Sequence, residues 1–178
     1  MPRKDVPSAS AEGMHIDEIL SPKRIGLRLT VSTREGLLEE LSALLSADQP
    51  TLNRQTVLDS LLERERIGNT GIGHGIALPH GRLKDLPRPI GAFATLAQGM
   101  DYHAIDDKPV TMAFALLVPD DAAEEHLILL SRLAGIFRNH DTRQELLAAQ
   151  TTEEICQHFA RAENDAARGL HVHTDGYG

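Results

Sequence analysis

The stretch "TGIGHGIALPHGR", residues 70–82, sets glycines, an apolar run and a Pro-His-Gly sequence around one imidazole, that of His80. A neutral imidazole, with a reference pKa of ~6.5, is a competent nucleophile near pH 7. Using it requires a ring that is held stiffly and left reachable. Pro79 removes a ladder donor and fixes its own φ, and Gly81 permits a sharp turn just beyond. The pattern therefore predicts His80 at the end of a strand with its side chain accessible, a frequent place for ligand contacts in α/β folds. Upstream, the absence of side chains at Gly73 and Gly75 would let backbone N–H groups approach an anion such as phosphate. The plainer alternative is that Pro-His-Gly is only a turn and the glycines only interrupt regular structure.

Two other side chains compete for a role beside it. His126 is expected in the second turn of a helix, on an azimuth near those of Leu130, Leu133 and Phe137. It either points over the end of the sheet or is a boundary histidine satisfied locally. Arg64, near the end of an earlier helix and just before the glycine run, reads equally as a site residue or as part of a solvated face. Glu63, Glu65 and Arg66 are assigned to that solvated face. His74, His80, His103 and Cys156 are conceivable metal ligands, but their spacing matches neither C-x-x-C nor H-E-x-x-H, and no metal is expected. "HVH" at His171 and His173 falls in a tail expected to be loose. Ile76 breaks G-x-G-x-x-G, no G-K-[ST] follows, and no G-x-S-x-G elbow is present, so nucleotide binding and serine hydrolysis gain little support.

The elements that must position these residues alternate along the chain. "IGLRLTV" (25–31) has the alternation of a half-buried strand, and Ser32 or Thr33 can cap the leucine-periodic helix that follows from Arg34. A second helix is expected through "RQTVLDSLLERERIG", ending near Gly68. "GIALPH" reads as a strand stopped by Pro79. "IGAFATLAQ" and "VTMAFALLVP" read as two more, the second apolar enough to be interior. The acidic "DDAAEEH" should supply an N-cap and first-turn charges for a helix running to about Asn139. Shorter helices are expected at about 142–149 and 152–162, the latter opened by the capping-box sequence "TTEE". Strands interleaved with helices predict an α/β fold, a mixed sheet flanked by helices.

A chain of 178 residues is enough for one domain with a sizeable core, and with only 3% aromatics that core must be Leu, Ile, Val and Ala. The net charge of −8 and the lack of a basic cluster argue against nucleic-acid binding. A single cysteine excludes an internal disulfide framework. No apolar run approaches the roughly 20 residues of a membrane span, and "MPRKDVPSASAEG" lacks a secretory segment, so a cytoplasmic protein without membrane insertion is expected. The organisation expected is a flexible leader (1–13), a folded body (14–163) and a flexible tail (164–178).

Taken together, "TGIGHGIALPHG", "AIDDKPVTMAFALLVP" and "EEHL" resemble the enzyme IIA component of the fructose/mannitol class of the phosphoenolpyruvate-dependent phosphotransferase system. The resemblance spans 16–159 and is closest to the nitrogen-regulatory branch, enzyme IIA-Ntr, through "RERIGNTGIG" and "FALLVP". It implies the enzyme IIA mannitol/fructose-type sandwich and a phosphotransferase component that works without a cofactor. By the same resemblance His80 accepts a phosphoryl group on Nε2, and His126 and Arg64 stabilise it. Position 74 is more often Asn in the nitrogen branch, where His74 stands here. The implied donor is a small HPr-like phosphocarrier charged by an enzyme I, and the implied targets are regulatory proteins that sense the phosphorylation state. Without a IIB, IIC or carrier domain, a free-standing regulator is expected; a sugar-transporter IIA subunit and a purely protein-binding module are the alternatives.

Overall fold

The computed structural model describes residues 15–169. The expected leader and the histidines at 171 and 173 lie outside them. The body opens with a short helix α1 (Ile16–Ile19), a 3-10 turn (Pro22–Arg24) and β1 (Ile25–Leu29), followed by α2 (Arg34–Ser46) and α3 (Arg54–Ile67). The first of the two longer helices is capped by Thr33, as expected, its Oγ1 accepting from Gly36 N–H; the second is capped by Asn53, whose Oδ1 accepts from Thr56 N–H.

Then come β2 (Gly71–Gly73), β3 (Ile76–Ala77), β4 (His80–Leu83), β5 (Ile90–Met100) and β6 (Val110–Pro119). The helices α4 (Ala123–Phe137), α5 (His140–Ala148) and α6 (Thr152–Gly169) complete the chain. Asn139 caps α5, and Thr151 and Glu154 exchange the reciprocal bonds of a capping box at α6. The acidic run before α4 does not cap it. Ala122 occupies that position, and the acids contribute only first-turn charges at Glu124 and Glu125. The last helix also continues past Glu163, into the stretch expected to be tail.

The strands form one mixed sheet in the order β1-β5-β6-β3-β2, with β4 also on β6. β6 is central and buried almost throughout because both of its faces are covered. Its alternation divides the core. Met112, Phe114, Leu116 and Val118 join the cluster under α4–α6, which holds all four phenylalanines of the chain: Phe93, Phe114, Phe137 and Phe159. Ala113, Ala115 and Leu117 face the other way, where small side chains admit the leucines of α2 and α3. The result is a sheet sandwiched between two helical layers.

One feature of the sheet corrects the reading of "GIALPHG". Ile76 pairs with Met112, Ala77 with Ala113 and His80 with Leu116, so β3 and β4 keep one register along β6. They are a single extended segment interrupted at Leu78–Pro79. Proline lacks the N–H, yet its carbonyl still accepts from Leu116 N–H at 3.0 Å. His80 therefore opens a strand instead of ending one, and Gly81 is not a turn residue. An added Cβ at Gly81 would stand 2.2 Å from Ser60 Oγ, so glycine is needed there because α3 crosses β4 closely.

Candidate phosphoryl-transfer site

His80 lies between α3 and α4, with each ring nitrogen held. Nδ1 is 2.8 Å from the Leu78 carbonyl, which can only accept, so Nδ1 carries the proton. Nε2 consequently bears the lone pair, and Arg64 Nε–H donates to it at 3.0 Å. The same guanidinium donates through Nη1 to the Gly68 carbonyl at 2.7 Å. The last turn of α3 and the chain leaving it thus fix the arginine across the imidazole.

His126 closes the other side. Its ring stands edge-on to that of His80, with centroids 4.9 Å apart and planes at 75°. Its Nε2 is buried without a hydrogen-bond partner. Burial is the largest influence on both imidazoles and lowers both pKa values. For His80, the Leu78 bond opposes that shift, the Arg64 charge adds to it and the Glu65 charge opposes it. For His126, the charges of His80, Arg82 and Arg64 reinforce burial and bring the pKa to about 4. Both rings are neutral at pH 7, and His80 retains its nucleophilic lone pair.

The structure therefore brings His80, His126 and Arg64 together as expected, with one difference: His80 is only 9% exposed. Arg64 and His126 both pack against the ring.

Gly73 and Gly75 are not part of this cluster. They flank His74 in the hairpin between β2 and β3, where His74 (φ 59°) and Gly75 (φ 80°) both adopt the left-handed region of a type I′ turn. At about 3.3 Å per residue along the β6 edge, Gly75 lies on the order of 16 Å from His80. The turn already holds an anion of its own, since His74 N–H donates to Asp106 Oδ2 at 3.0 Å. Phosphate binding by these glycines at His80 is thereby corrected: their positive φ values build a hairpin. His74 is exposed on that turn, away from the imidazole pair. Among the described residues, no three His, Cys, Asp or Glu side chains gather as a metal would require, so His74, His80, His103 and Cys156 form no shared site.

Sequence reasoning missed Glu65. Instead of facing solvent, the residue is only 8% exposed, and its carboxylate accepts from Thr70 N–H (2.8 Å), Thr70 Oγ1–H (2.7 Å) and Tyr102 Oη–H (3.0 Å). The signal was present in the spacing: Val57, Leu61 and Glu65 recur every fourth residue and form the buried face of α3. Glu63 and Arg66 do lie on the solvated face as expected, where they pair at 2.9 Å.

Residues 18–162 match the family described as phosphoenolpyruvate-dependent sugar phosphotransferase system, EIIA 2. The chain belongs to this EIIA family. A "Nitrogen regulatory protein" of Pseudomonas aeruginosa is 36% identical over 151 residues, spanning 85% of this chain and 98% of that protein. A "PTS system fructose-specific EIIA component" of Haloferax volcanii is 37% identical over 140 residues, spanning 79% of this chain and 91% of that one. Among solved structures, the nitrogen regulatory protein IIA-Ntr of Neisseria meningitidis superposes with a TM-score of 0.76 at 38% identity, covering 81% of this chain and 98% of that one. The EIIA fold expected from the sequence is thus present, and its nitrogen-regulatory members are among its relatives. No helix of the described residues is long and apolar enough to cross a membrane.

Proposed function

We propose that this EIIA protein is a cytoplasmic histidine phosphocarrier of the nitrogen-regulatory phosphotransferase system. It accepts a phosphoryl group on Nε2 of His80 from an HPr-like phosphocarrier and regulates partner proteins through its phosphorylation state. The observation that carries this reading is the pair of hydrogen bonds on the His80 ring: the Leu78 carbonyl on Nδ1 selects the tautomer that leaves the lone pair of Nε2 facing the Arg64 guanidinium.

Transfer breaks the N–P bond of the donor's phosphohistidine as Nε2 of His80 forms a new one, and the donor ring keeps the electron pair of the broken bond. The Nδ1 proton of His80 does not move. Its bond to the Leu78 carbonyl supports the positive charge that the ring gains. In the transition state, negative charge spreads over three phosphoryl oxygens, so the protein contributes positioning and electrostatic stabilisation. Arg64 must slide from the lone pair to those oxygens. His126 Nε2, otherwise without a partner, becomes a donor to them in the tautomer that protonates this nitrogen. The product is a phosphoramidate like the reactant, so transfer runs in either direction and needs no cofactor.

The test is incorporation of label from phosphoenolpyruvate with enzyme I and carrier, followed by intact-mass measurement and location of an acid-labile modification. The wild type should gain one phosphoryl group and His80→Ala none. Full labelling of His80→Ala would end the proposal. A second reading, a IIA subunit of a fructose/mannitol transporter, draws support from the fructose-specific relative; it requires rapid onward transfer to a IIB domain, which a regulator lacks. A protein-binding module without chemistry would capture the same regulatory partners whether position 80 holds His or the charge mimic of His80→Asp.

A further inference from the structure

We propose that Glu65 is a positioning residue for His80, its buried carboxylate fixing the backbone that holds the imidazole proton on Nδ1. The inference rests on the phosphocarrier reading for its functional consequence, but the geometry is independent of it. Three hydrogen bonds converge on the carboxylate, two from Thr70 and one from Tyr102, and the two hydroxyls also lie 3.1 Å apart. Asn69 ties the same corner to the Tyr102 carbonyl at 2.7 Å. A carboxylate this buried is a costly device for merely closing a loop.

What it fixes leads directly to the site. The Thr70 carbonyl accepts from Leu78 N–H at 2.9 Å, and the Leu78 carbonyl accepts from His80 Nδ1–H at 2.8 Å. The carboxylate therefore pins Thr70, Thr70 pins Leu78 and Leu78 holds the imidazole, three hydrogen bonds joined through the backbone of two residues. The tether fixes where the Leu78 carbonyl stands, and the carboxylate charge reaches the ring through space. Arg64, the neighbour of Glu65 on α3, grips the opposite nitrogen and is itself held by Gly68. Both nitrogens of His80 are thus set from the segment 64–70, which the Glu65 carboxylate closes.

The charged and titratable groups that act on this ring are Arg64 and Glu65 from α3 and His126 from α4; Arg82, on the strand of His80 itself, acts on His126. Among them, Glu65 is the anion. Removing its charge should lower the pH at which the ring titrates, whereas a purely structural role would leave that pH unmoved.

The experiment is nitrogen NMR of the His80 ring in the full chain, alongside the rate of phosphoryl uptake from charged carrier, for wild type and Glu65→Gln. The expected result is a lower titration midpoint, a reduced Nδ1–H tautomer fraction, and uptake slowed roughly tenfold, as when the outer partner of a ligating histidine is lost. A folded variant with wild-type midpoint, tautomer and rate would overturn the proposal. If Glu65→Gln does not fold, Tyr102→Phe decides, because it removes one bond to the carboxylate and leaves the charge. Faster solvent exchange of the Nδ1 proton and several-fold slower uptake are then expected, and wild-type values for both would overturn the proposal. The NMR arm needs no phosphoryl transfer, so failure of His80 to take up label in the wild type would count against the phosphocarrier reading alone.

Discussion

Arg64 Nε–H lies 3.0 Å from His80 Nε2, directly on the lone pair that would attack phosphorus. The resting site is therefore a capped nucleophile, and the cap is the group best suited to receive the negative charge of the incoming phosphoryl.

This makes the effect of Arg64→Ala a test between covering and catalysis. If the guanidinium only covers the ring, its removal speeds transfer. If it stabilises the transition state, transfer falls by about 10²–10³, the usual cost of losing one aimed charge-stabilising donor. We expect the fall, with Arg64→Lys recovering little because an ammonium cannot span Nε2 and the Gly68 carbonyl as the planar fork does. The Arg64 charge also lowers the His80 pKa, so the alanine variant should titrate at higher pH than wild type. Rapid-quench labelling and ring NMR measure the two effects separately.

His126 gives a prediction about stability. Its folded pKa is about 4 against an ordinary 6.5. Between these values the unfolded chain binds a proton that the folded chain does not, so stability is lost as pH falls through this window and is fully present above pH 6.5. By linkage the loss is at most about 3 kcal/mol, with solvent screening taking part of it. Urea unfolding from pH 7 to pH 4 should show a shallower decline in His126→Asn than in the wild type. Parallel curves would mean that the imidazole titrates normally. Separately, the same variant should slow phosphoryl uptake, since it removes a donor that has no other partner in the resting site.

The hairpin glycines yield a contrasting expectation. Gly75→Ala places a side chain at φ 80°, at a cost of about 1 kcal/mol or more. The strain is confined to a turn held by Asp106, so melting temperature should fall while uptake by the folded protein stays at the wild-type rate. A large loss of uptake without loss of stability would restore these glycines to the site.

How much could be read beforehand depended on whether local pattern and tertiary pairing agreed. β6 and the helices α2 and α3 were legible because burial on two faces, or on one stripe, leaves a direct periodic signature. The trio His80, His126 and Arg64 was legible through a resemblance; residue spacing alone left each with an equally good surface role. The position of His80 within a strand was not legible, because Pro and Gly are local turn signals and pairing to β6 outweighs them. Glu65 was not legible as a buried residue because a carboxylate is ordinarily solvated, and its four-residue spacing from Val57 and Leu61 is the weaker signal. No property of Tyr102 in sequence announces that its hydroxyl meets that carboxylate 37 positions away.

Gly81 offers the sharpest test of the revised geometry. As a turn glycine it would tolerate Asn or Asp and would suffer mainly from lost backbone freedom. As a contact glycine it tolerates nothing larger, because a Cβ there meets Ser60 Oγ at 2.2 Å, Ser60 Cβ at 3.3 Å and the Ser60 carbonyl carbon at 3.4 Å. Rotation of the serine hydroxyl relieves only the first of these and gives up its bond to the Arg82 carbonyl. We therefore expect Gly81→Ala to cost about 1–3 kcal/mol, the range for overpacking, and Gly81→Asn to cost more. Ser60→Ala should recover part of the alanine loss in a double-mutant cycle, because it removes the atom that clashes first. Since α3 also carries Arg64, pushing it away from β4 should slow phosphoryl uptake even where the protein stays folded. Denaturant titration of the four proteins of the cycle and of Gly81→Asn, with uptake rates measured on each, separates the outcomes: additive stabilities, or an Asn variant as stable as wild type, would return Gly81 to a turn.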